Sequence, residues 1–591
     1  MNLSSAQGTR PPSVSEESAV RARIASLEKR FGSRTDLANP LRDTALLDAD
    51  ERAELLPAAE RMLAEYRLNA EFVPTALGGR FVQVDTLARV LRTVFRRDGA
   101  LGLGYGASSF LAAVAVWAAG TPRQQQWTAD LLMGGGRLAV AYHELAHGND
   151  FVRNEFRADR HEDGYLLNGR KEVINNAERA EALVLFTRTS PEPGSRSHSV
   201  LLVDKELLPP NGLAYLPAYP SVGMRGCQLG GLDFTDCPVP GDALVGGEGD
   251  GVELALRSFQ LTRSAVPSML LGGADSALRT VVGFALDRQL HSRPVLDIPH
   301  ARSTLAGAFL DLLICDSLAL AATRAVHVLP AESSVLAAVV KYLVPKMLGE
   351  TTYDLSTVLG ASFYVRDGRY GMFQKHVRDL PVISLGHAGT AACQATIIPQ
   401  LPRLARRSWL RDGPAPAALF RPCEGLPPVD FQRLALAGPR DSLAASLVAH
   451  ADALTARTDL GAYRPALTTL AASLVAELHR LKDACGRLSP KDRTALASPH
   501  AYALADRYAL VLAGAACLGV WLHHTVPAGG PGQAFLGDPG WLAGALHRIA
   551  RRLGLDTPER PDGCEARVVE EVLARHRDAR SYDLYDTPLA D

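Results

Sequence analysis

A short motif at residues 143–147 has the residue types and the spacing of a zinc site. Its sequence is HELAH. In zinc hydrolases, two histidines one helical turn apart share the metal, and the glutamate between them acts as a base. Here the motif follows the alternating stretch 138–142 and runs into residues 148–150, GND, which favour a turn. A polar loop after a strand is therefore the favoured interpretation, and a zinc hydrolase is the alternative.

Two glycine-rich stretches have the composition of phosphate-binding loops. Residues 102–107 have the sequence GLGYGA, and residues 246–251 have the sequence GGEGDG. A dinucleotide-binding loop follows a buried strand, whereas RRDGA precedes the first stretch, so a connection between helices is favoured there. The second stretch opens a helix and could hold an anion on its backbone N–H groups, but a flexible lead into the helix is favoured.

The spacing of apolar residues divides the first half of the chain into two predicted domains. Over residues 43–137 they recur every three or four positions, which indicates helices with one buried face. Over residues 138–250 they alternate, which indicates strands, and Asn168-Gly169 predicts a tight hairpin turn between two of them. A helical domain is therefore followed by a β domain.

The second half of the chain is predicted to be helical. Helical spacing returns over residues 251–411 and again over residues 431–591. Residues 412–430 are rich in proline, which disfavours a continuous helix and predicts a linker. The polar residues 1–42 are predicted to form a disordered tail. The predicted fold class is α+β and mainly α, with an N-terminal helical domain, a β-barrel-like domain, a helical bundle and an extra C-terminal helical domain.

Composition and charge exclude several classes of protein. Apolar residues make up 47% and the net charge is -1, so no overall field attracts nucleic acid or an anionic membrane. The eight cysteines form no CxxC pair and fit neither a zinc ribbon nor a disulfide scaffold. The start of the chain lacks the pattern of a signal peptide, and the longest apolar run, residues 509–522, is too short to cross a bilayer. We therefore expect a cytoplasmic protein with no membrane span.

The order of helices, β domain and helices over residues 45–411 resembles the acyl-CoA dehydrogenase family of flavoproteins. The strongest segment is Thr262-Arg263, followed without a gap by a small-residue helix and by Arg288 at the family's separation. In the family, this last arginine begins an R-x-x-F-G signature and reaches the FAD of the neighbouring subunit, whereas here it begins RQLHS. The resemblance implies FAD as cofactor, Arg288 at the FAD, Thr262 and Arg263 near the substrate, and a homodimer.

Two further segments of the β domain resemble the family's flavin-binding loops. HELAHGND stands where the family has T-E-P-x-x-G-S-D, which accounts for the zinc-like motif and implies Tyr142, His143 and Asn149 as neighbours of the flavin or the thioester. KEVINNA stands where the family has K-x-W-I-T-N-G, which implies Ile174 and Asn175 at the flavin ring. Asparagine can still hydrogen-bond the ring.

Two segments of the helical bundle resemble the family's remaining motifs. TVLGASF stands where the family has Q-x-x-G-G-x-G, which implies Thr357 and Gly360 as FAD contacts, although one glycine remains where close approach to a pyrophosphate needs several. Nine residues past Arg378, where the family has its catalytic glutamate, this chain has His387. An imidazole is neutral near pH 7 and can act as a base. A one-residue insertion would instead align Ala388 there and leave no base.

Three functions are compatible with these residues. The first is flavin-dependent α,β-dehydrogenation of an acyl thioester, carried by CoA or a carrier protein, with His387 as the base. The second is flavin monooxygenase-type chemistry on the same fold, since related monooxygenases also lack the glutamate. The third is a scaffold that has lost redox chemistry. The order of elements and the retained arginines favour the first function, although fold resemblance alone establishes no reaction.

Overall fold

The N-terminal part of the protein is a layer of helices, as the apolar spacing predicts. The computed structural model describes residues 14–386, 389–494, 496–524 and 531–590. The helices of this layer are α1 (Val14–Phe31), α2 (Asp43–Glu51), α3 (Pro57–Tyr66), α4 (Val84–Arg97), α5 (Gly99–Leu101), α6 (Ser108–Ala119) and α7 (Pro122–Met133).

Helix α1 shows that the prediction of a disordered tail over residues 1–42 is wrong from residue 14 onward. Four apolar side chains between Val20 and Phe31 recur at helical spacing and are buried. Arg89 of α4 donates two hydrogen bonds of 2.8 Å to the carboxylate of Glu17. The polar start of the chain therefore leads into an amphipathic helix that packs on the core.

A sheet of eight strands forms the middle domain. Its order is β6-β7-β3-β2-β4-β5-β8, and β1 pairs in parallel with β4 outside that order. Successive side chains of a strand face opposite sides, so one face of the sheet packs on its own small core and the other on the helices. The strands are β1 (Leu138–Ala141), β2 (Arg157–His161), β3 (Gly164–Asn175), β4 (Ala182–Arg188), β5 (His198–Asp204), β6 (Leu213–Leu216), β7 (Leu229–Pro240) and β8 (Leu244–Val245).

Asn168-Gly169 does not form the predicted hairpin turn. The pair lies inside β3, where the register with β7 shifts, and Gly169 has a φ of 117°. The turn of the hairpin between β2 and β3 is instead formed by Glu162 and Asp163, and Glu162 has a φ of 49°. An asparagine–glycine pair suits a bulge for the same reason that it suits a turn, because glycine adopts positive φ without strain.

A bundle of long helices packs against the sheet and against α4. A short hairpin of β9 (Gln289–Leu290) and β10 (Arg293–Pro294) follows the first of these helices. The first three helices of this bundle pack on one another and form the largest part of the core. The bundle consists of α8 (Gly251–Asp287), α9 (Pro299–Val328), α10 (Ser333–Leu359), α11 (Gly371–Leu385), α12 (Thr390–Ile397) and α13 (Leu401–Arg407).

The proline-rich segment 412–430 is irregular, as predicted, but it is not a free linker. Leu419 and Phe420 are fully buried. Arg324 of α9 donates a hydrogen bond of 2.7 Å to the carbonyl of Glu424. The prolines prevent a helix, while apolar side chains and backbone carbonyls attach the segment to the bundle. The helices that follow are α14 (Ser442–Ala456), α15 (Arg464–Gly486), α16 (Pro499–Leu522), α17 (Pro531–Leu536), α18 (Pro539–Arg552) and α19 (Cys564–Arg577).

The segment after α19 returns to the middle of the molecule. Arg92 of α4 makes a bidentate ion pair with Asp316 of α9, at 2.5 and 3.0 Å. Asp583 lies 3.4 Å from the same guanidinium, and the N–H of Leu584 donates to Asp316 at 2.9 Å. All of these groups are buried. The C-terminal helices and the bundle therefore share one core, rather than forming separate domains joined by a linker.

Four helical stretches of the described chain are long and apolar enough to cross a membrane by length and composition. Their apolar windows are between 78% and 100% buried within the protein. Packing in the core accounts for their composition, because helices in the centre of a large protein are apolar all round. They are Gly99–Ala119, Gly251–Asp287, Pro299–Val328 and Pro499–Leu522, the last of which contains the predicted buried helix.

Candidate functional site

The zinc-like motif forms a turn at the end of β1, not a helix. The N–H of Glu172 donates to the carbonyl of His143 at 3.1 Å, and His143 Nδ1 lies 3.0 Å from the carbonyl of Glu172. Glu144 points inward to Lys171 Nζ, 2.7 Å away. Among the described residues, no group of three His, Cys, Asp or Glu side chains could hold a metal ion. The motif therefore attaches the loop after β1 to β3.

Burial and charge compete at the ion pair that anchors this loop. Burial lowers the pKa of Lys171 to about 8, against the attraction of Glu144. Burial opposes the charge on Glu144, but Lys171 and the backbone N–H groups of Glu155 and Phe156 hold the pKa of Glu144 below its usual value. The carboxylate has three donors, so it is held in place and is poorly suited to act as a base.

Aromatic side chains join this edge of the sheet to helix α8. The Tyr142 ring lies 5.5 Å from Phe186 and 6.2 Å from Phe259, measured between centroids. Phe151 packs edge-on against both phenylalanines, at 5.3 and 5.7 Å. Burial raises the pKa of the Tyr142 hydroxyl, which therefore stays protonated. Tyr142 thus lies where the sheet meets the bundle.

The end of β3 places a polar side chain in the same region. Asn175 donates a hydrogen bond to Ser108 Oγ of α6, and its Oδ1 is buried with no partner among the described residues. Ile174 beside it is fully buried. Val173 has a φ of 57°, a conformation that a β-branched residue adopts only under strain of roughly 1–3 kcal/mol. A strained backbone and an unpaired acceptor are typical of a binding site.

Two buried cations lie on the bundle side of the aromatic cluster. The Arg263 guanidinium lies 5.0 Å above the Phe259 ring and donates to Thr396 Oγ1 at 3.4 Å, while its Nε has no partner in the described chain. Lys341 of α10 donates to the carbonyl of Ile383. Neither cation has a carboxylate within ion-pair distance among the residues that the structure describes. Burial lowers the pKa of both groups, that of Lys341 to about 8.

Replacing Lys341 by methionine is expected to stabilise the protein near neutral pH by up to about 3 kcal/mol. Below about pH 8 the buried ammonium is charged and its desolvation opposes folding. Between about pH 8 and the ordinary lysine pKa of 10.5, the unfolded chain binds a proton that the folded chain does not, so the parent gains stability as the pH rises. The variant should therefore exceed the parent in free energy of unfolding by less at pH 10 than at pH 7, as measured by urea unfolding. An advantage that is equal at both pH values, or equally present in the exposed control Lys29→Met, would contradict this.

The other residues that the resemblance implies divide into buried and exposed ones. Thr262 is buried on α8, and its Oγ1 lies 3.5 Å from the carbonyl of Phe259. Asn149, Thr357 and Gly360 are exposed, on the loop after β1 and at the end of α10. The structure therefore joins Tyr142 and Arg263 through Phe259, with Thr262 buried on the same helix. His143 is held by Glu172, Asn175 by Ser108, and Ile174 lies in the sheet's own small core, while Asn149, Thr357 and Gly360 are at the surface.

Arg288 is exposed at the end of α8, next to the β9–β10 hairpin. Its guanidinium makes no hydrogen bond or ion pair with the described part of the chain. The side chain is therefore available to a ligand or to another molecule.

His387 and Ala388 lie outside the described residues, so the structure does not test the predicted base. Helix α11 ends at Leu385, shortly before these two residues, and α12 begins at Thr390, shortly after them. These two helices supply Ile383 and Thr396, the partners of Lys341 and Arg263.

Sequence reasoning missed two members of this region, Lys341 and Ser108. Lys341 is a single charge in the apolar stretch LAAVVKYLV of α10, and such a buried charge is a usable signal for a functional site. Ser108 follows the glycine-rich stretch, which forms a π-helical turn leading into α6. Nothing in the sequence pairs this serine with Asn175.

The residues present fit the ring end of FAD. Asn175 Oδ1 is a buried acceptor without a described partner, and the aromatic ring of Tyr142 packs at the neighbouring end of β1 against Phe186 and Phe259. At the end of α10, Gly360 has a φ of 58°, and a Cβ built there would meet nothing within 4 Å. This single glycine leaves open space but no glycine-rich cradle. The ring end is therefore the better supported half of the site.

Comparison with known proteins identifies the same family. Residues 139–237 match the family model of the acyl-CoA dehydrogenase middle domain, and residues 249–400 match that of the acyl-CoA dehydrogenase C-terminal domain. The mitochondrial 2-methylacyl-CoA dehydrogenase of Solanum tuberosum is 26% identical over 253 residues, which are 43% of this chain and 61% of that enzyme. The human mitochondrial short-chain specific acyl-CoA dehydrogenase is 26% identical over 352 residues, 59% of this chain and 83% of that enzyme. The chain thus spans less than two thirds of the potato enzyme.

Solved structures share the fold at low sequence identity. Butyryl-CoA dehydrogenase from Megasphaera elsdenii has a TM-score of 0.57 and 17% identity, over 66% of this chain and 97% of that chain. The FAD complex of PigA has a TM-score of 0.59 and 19% identity, over 68% of this chain and 99% of that chain. The likeness to these structures concerns the fold. Residues 139–237 and 249–400 of this chain therefore match the middle and C-terminal domains of the acyl-CoA dehydrogenase family.

Proposed function

We propose that this chain catalyses the flavin-dependent α,β-dehydrogenation of an acyl thioester. The observation that carries the proposal is the pair of buried cations, Arg263 and Lys341, next to the aromatic contact between α8 and the sheet. A buried charge without a counterion is costly unless a ligand supplies the opposite charge. A thioester that loses a proton develops negative charge on its carbonyl oxygen, and these cations can stabilise it.

The proposed reaction divides the work between the chain and its cofactor. Bound FAD would accept the hydride that leaves the β-carbon of the acyl group. His387 is the proposed base that removes the proton from the α-carbon, in the place where the family has glutamate. Tyr142, Ile174 and Asn175 would hold the ring at the end of the sheet, with Asn175 Oδ1 accepting a hydrogen bond. The products would be an α,β-unsaturated thioester and reduced flavin.

The proposed substrate is a thioester of CoA or of a carrier protein. The curated relatives are named for CoA thioesters. Similar structures include the prolyl acyl carrier protein oxidase AnaB, with a TM-score of 0.57 and 17% identity, and PigA with FAD and proline, with a TM-score of 0.58 and 19% identity. Both kinds of neighbour support a thioester. Whether the carrier is CoA or a protein, the proposed reaction takes place at the α- and β-carbons of the acyl group.

A homodimer in the cytoplasm completes the proposal. Its support is Arg288, which is exposed and has no partner within the described chain, at the position where the family's arginine reaches the FAD of the neighbouring subunit. In a dimer its guanidinium would pair with a phosphate group, the acceptor that the planar arginine fork suits best.

The visible spectrum of the purified protein, taken before and after anaerobic addition of acyl thioesters, tests the proposal. A yellow protein whose flavin band bleaches with a CoA or carrier-protein thioester is the expected result. A colourless protein that takes up no FAD would favour a scaffold without redox chemistry. A yellow protein that thioesters do not bleach, but that inserts oxygen into a substrate, would favour the monooxygenase alternative.

A further inference from the structure

One cavity of the protein lies apart from the proposed flavin site and is lined only by cationic side chains. It has a volume of about 720 Å³ and lies between α13, the turn that follows it, and α15. No apolar side chain is among its lining residues, so the cavity is unsuited to an acyl chain. It is lined by Arg403, Arg406, Arg407, Arg411 and Lys482.

None of these five side chains has an ion-pair partner in the part of the chain that the structure describes. Neighbouring arginines are paired: Arg480, two residues before Lys482, lies 2.7 Å from Glu477, and Arg440 lies 3.6 Å from Asp412. The cavity is thus a local excess of positive charge in a protein whose net charge is -1.

The spacing of the arginines adds to the repulsion. Arg403 and Arg407 are four residues apart on α13, and like charges at this spacing destabilise a helix. Lys482 brings a further positive charge from another helix. An anion in the cavity would remove this repulsion, and clustered phosphates suit several arginines at once because each guanidinium can bind two oxygens.

The cavity is close in the chain to the proposed active site. Thr396 of α12 contacts Arg263, and Arg403 follows only seven residues later on α13. The two sites are thus connected along the chain through α12 and α13.

We propose that this cavity binds clustered phosphate groups, as found in a diphosphate ester. Two sources share this chemistry: the nucleotide end of a CoA thioester, and a free polyphosphate that binds independently of the substrate. The first source rests on the proposed function, whereas the second does not. Salt should weaken the binding, because exposed charges are screened.

Calorimetric titration of the full-length protein as purified tests this assignment with three probes: inorganic diphosphate, CoA and pantetheine, which lacks phosphate. The double variant Arg406→Ala/Lys482→Ala is expected to bind diphosphate at least tenfold more weakly than the parent. The matched control Arg480→Ala removes a paired arginine from the same helix and should bind diphosphate like the parent. Unchanged melting temperatures would show that both variants remain folded.

The CoA and pantetheine titrations distinguish the two sources. If the double variant weakens CoA by the same factor and leaves pantetheine unchanged, the cavity binds the phosphate end of a CoA thioester. If it weakens diphosphate alone, the ligand is a free polyphosphate. Diphosphate that does not bind the parent, or that binds parent and double variant equally, would overturn the assignment. None of these titrations requires turnover, so a failure of the dehydrogenase proposal would leave their outcome unaltered.

Discussion

Replacing His387 by alanine is expected to slow flavin reduction by an acyl thioester by roughly a hundred- to ten-thousandfold, the usual contribution of a general base. The α-proton must leave as the hydride departs, and no carboxylate in the described chain lies beside Arg263 or Lys341 to replace the imidazole. Anaerobic stopped-flow bleaching of the flavin measures the effect. FAD content should be unchanged, because the residues proposed to hold the ring are untouched.

Two further variants separate a base from a structural residue. His387→Glu restores the family's carboxylate and should recover most of the rate, whereas His387→Gln, which keeps a polar side chain without a base, should not. His479→Ala removes an exposed histidine from α15 and should behave like the parent. Bleaching of the alanine variant at the parent rate would exclude His387 as the base and favour the alternative alignment.

Replacing Asp316 by alanine is expected to lower the free energy of unfolding by about 3–5 kcal/mol. The carboxylate accepts two hydrogen bonds from Arg92 and one from the N–H of Leu584, all buried. Its removal leaves the Arg92 guanidinium 3.4 Å from Asp583 as its remaining carboxylate partner. Urea unfolding followed by circular dichroism measures the loss.

The double variant Arg92→Met/Asp316→Leu is the sharper control for this network. It replaces both charges by apolar side chains and should be clearly more stable than Asp316→Ala, because no buried guanidinium loses its main partner and Asp583 keeps Arg96, 3.9 Å away. Asp297→Ala, which removes an exposed aspartate just before α9, should unfold like the parent. A loss below about 1 kcal/mol in Asp316→Ala would show that the ion pair contributes little beyond its desolvation cost.

Local periodicity predicted the order of the elements but not how they pack. The sequence of helices, strands and helices follows from apolar spacing, since 3.6-residue and two-residue periods arise from backbone geometry. The sequence does not predict helix α1, because its buried apolar side chains begin only after a polar start. The prolines of residues 412–430 predict a linker because they exclude a helix, whereas the hydrogen bond from Arg324 to the carbonyl of Glu424 joins residues 100 positions apart.

The candidate site was predictable where a motif is local and not where it is assembled in space. Tyr142 and Arg263 both pack on Phe259, because α8 lies against the end of β1, but their role at a flavin stays a prediction. Lys341 carries a recognisable signal, a lone charge in an apolar helix. The cationic cavity combines a run of arginines on α13 with Lys482 of α15, and only the packing of the two helices shows that they share one space.

The return of the segment after α19 to helix α4 has a consequence for synthesis of the protein. Asp583 is 491 residues beyond Arg92 in the chain. At a ribosomal rate of about 5–20 residues per second, the two are made roughly 25 to 100 s apart. Until Asp583 is made, Arg92 has Asp316 as its carboxylate partner. The Arg92–Asp316 pair can therefore form well before the segment after α19 covers it, and a chain shortened before residue 583 would lack Asp583 and the N–H of Leu584 at this pair.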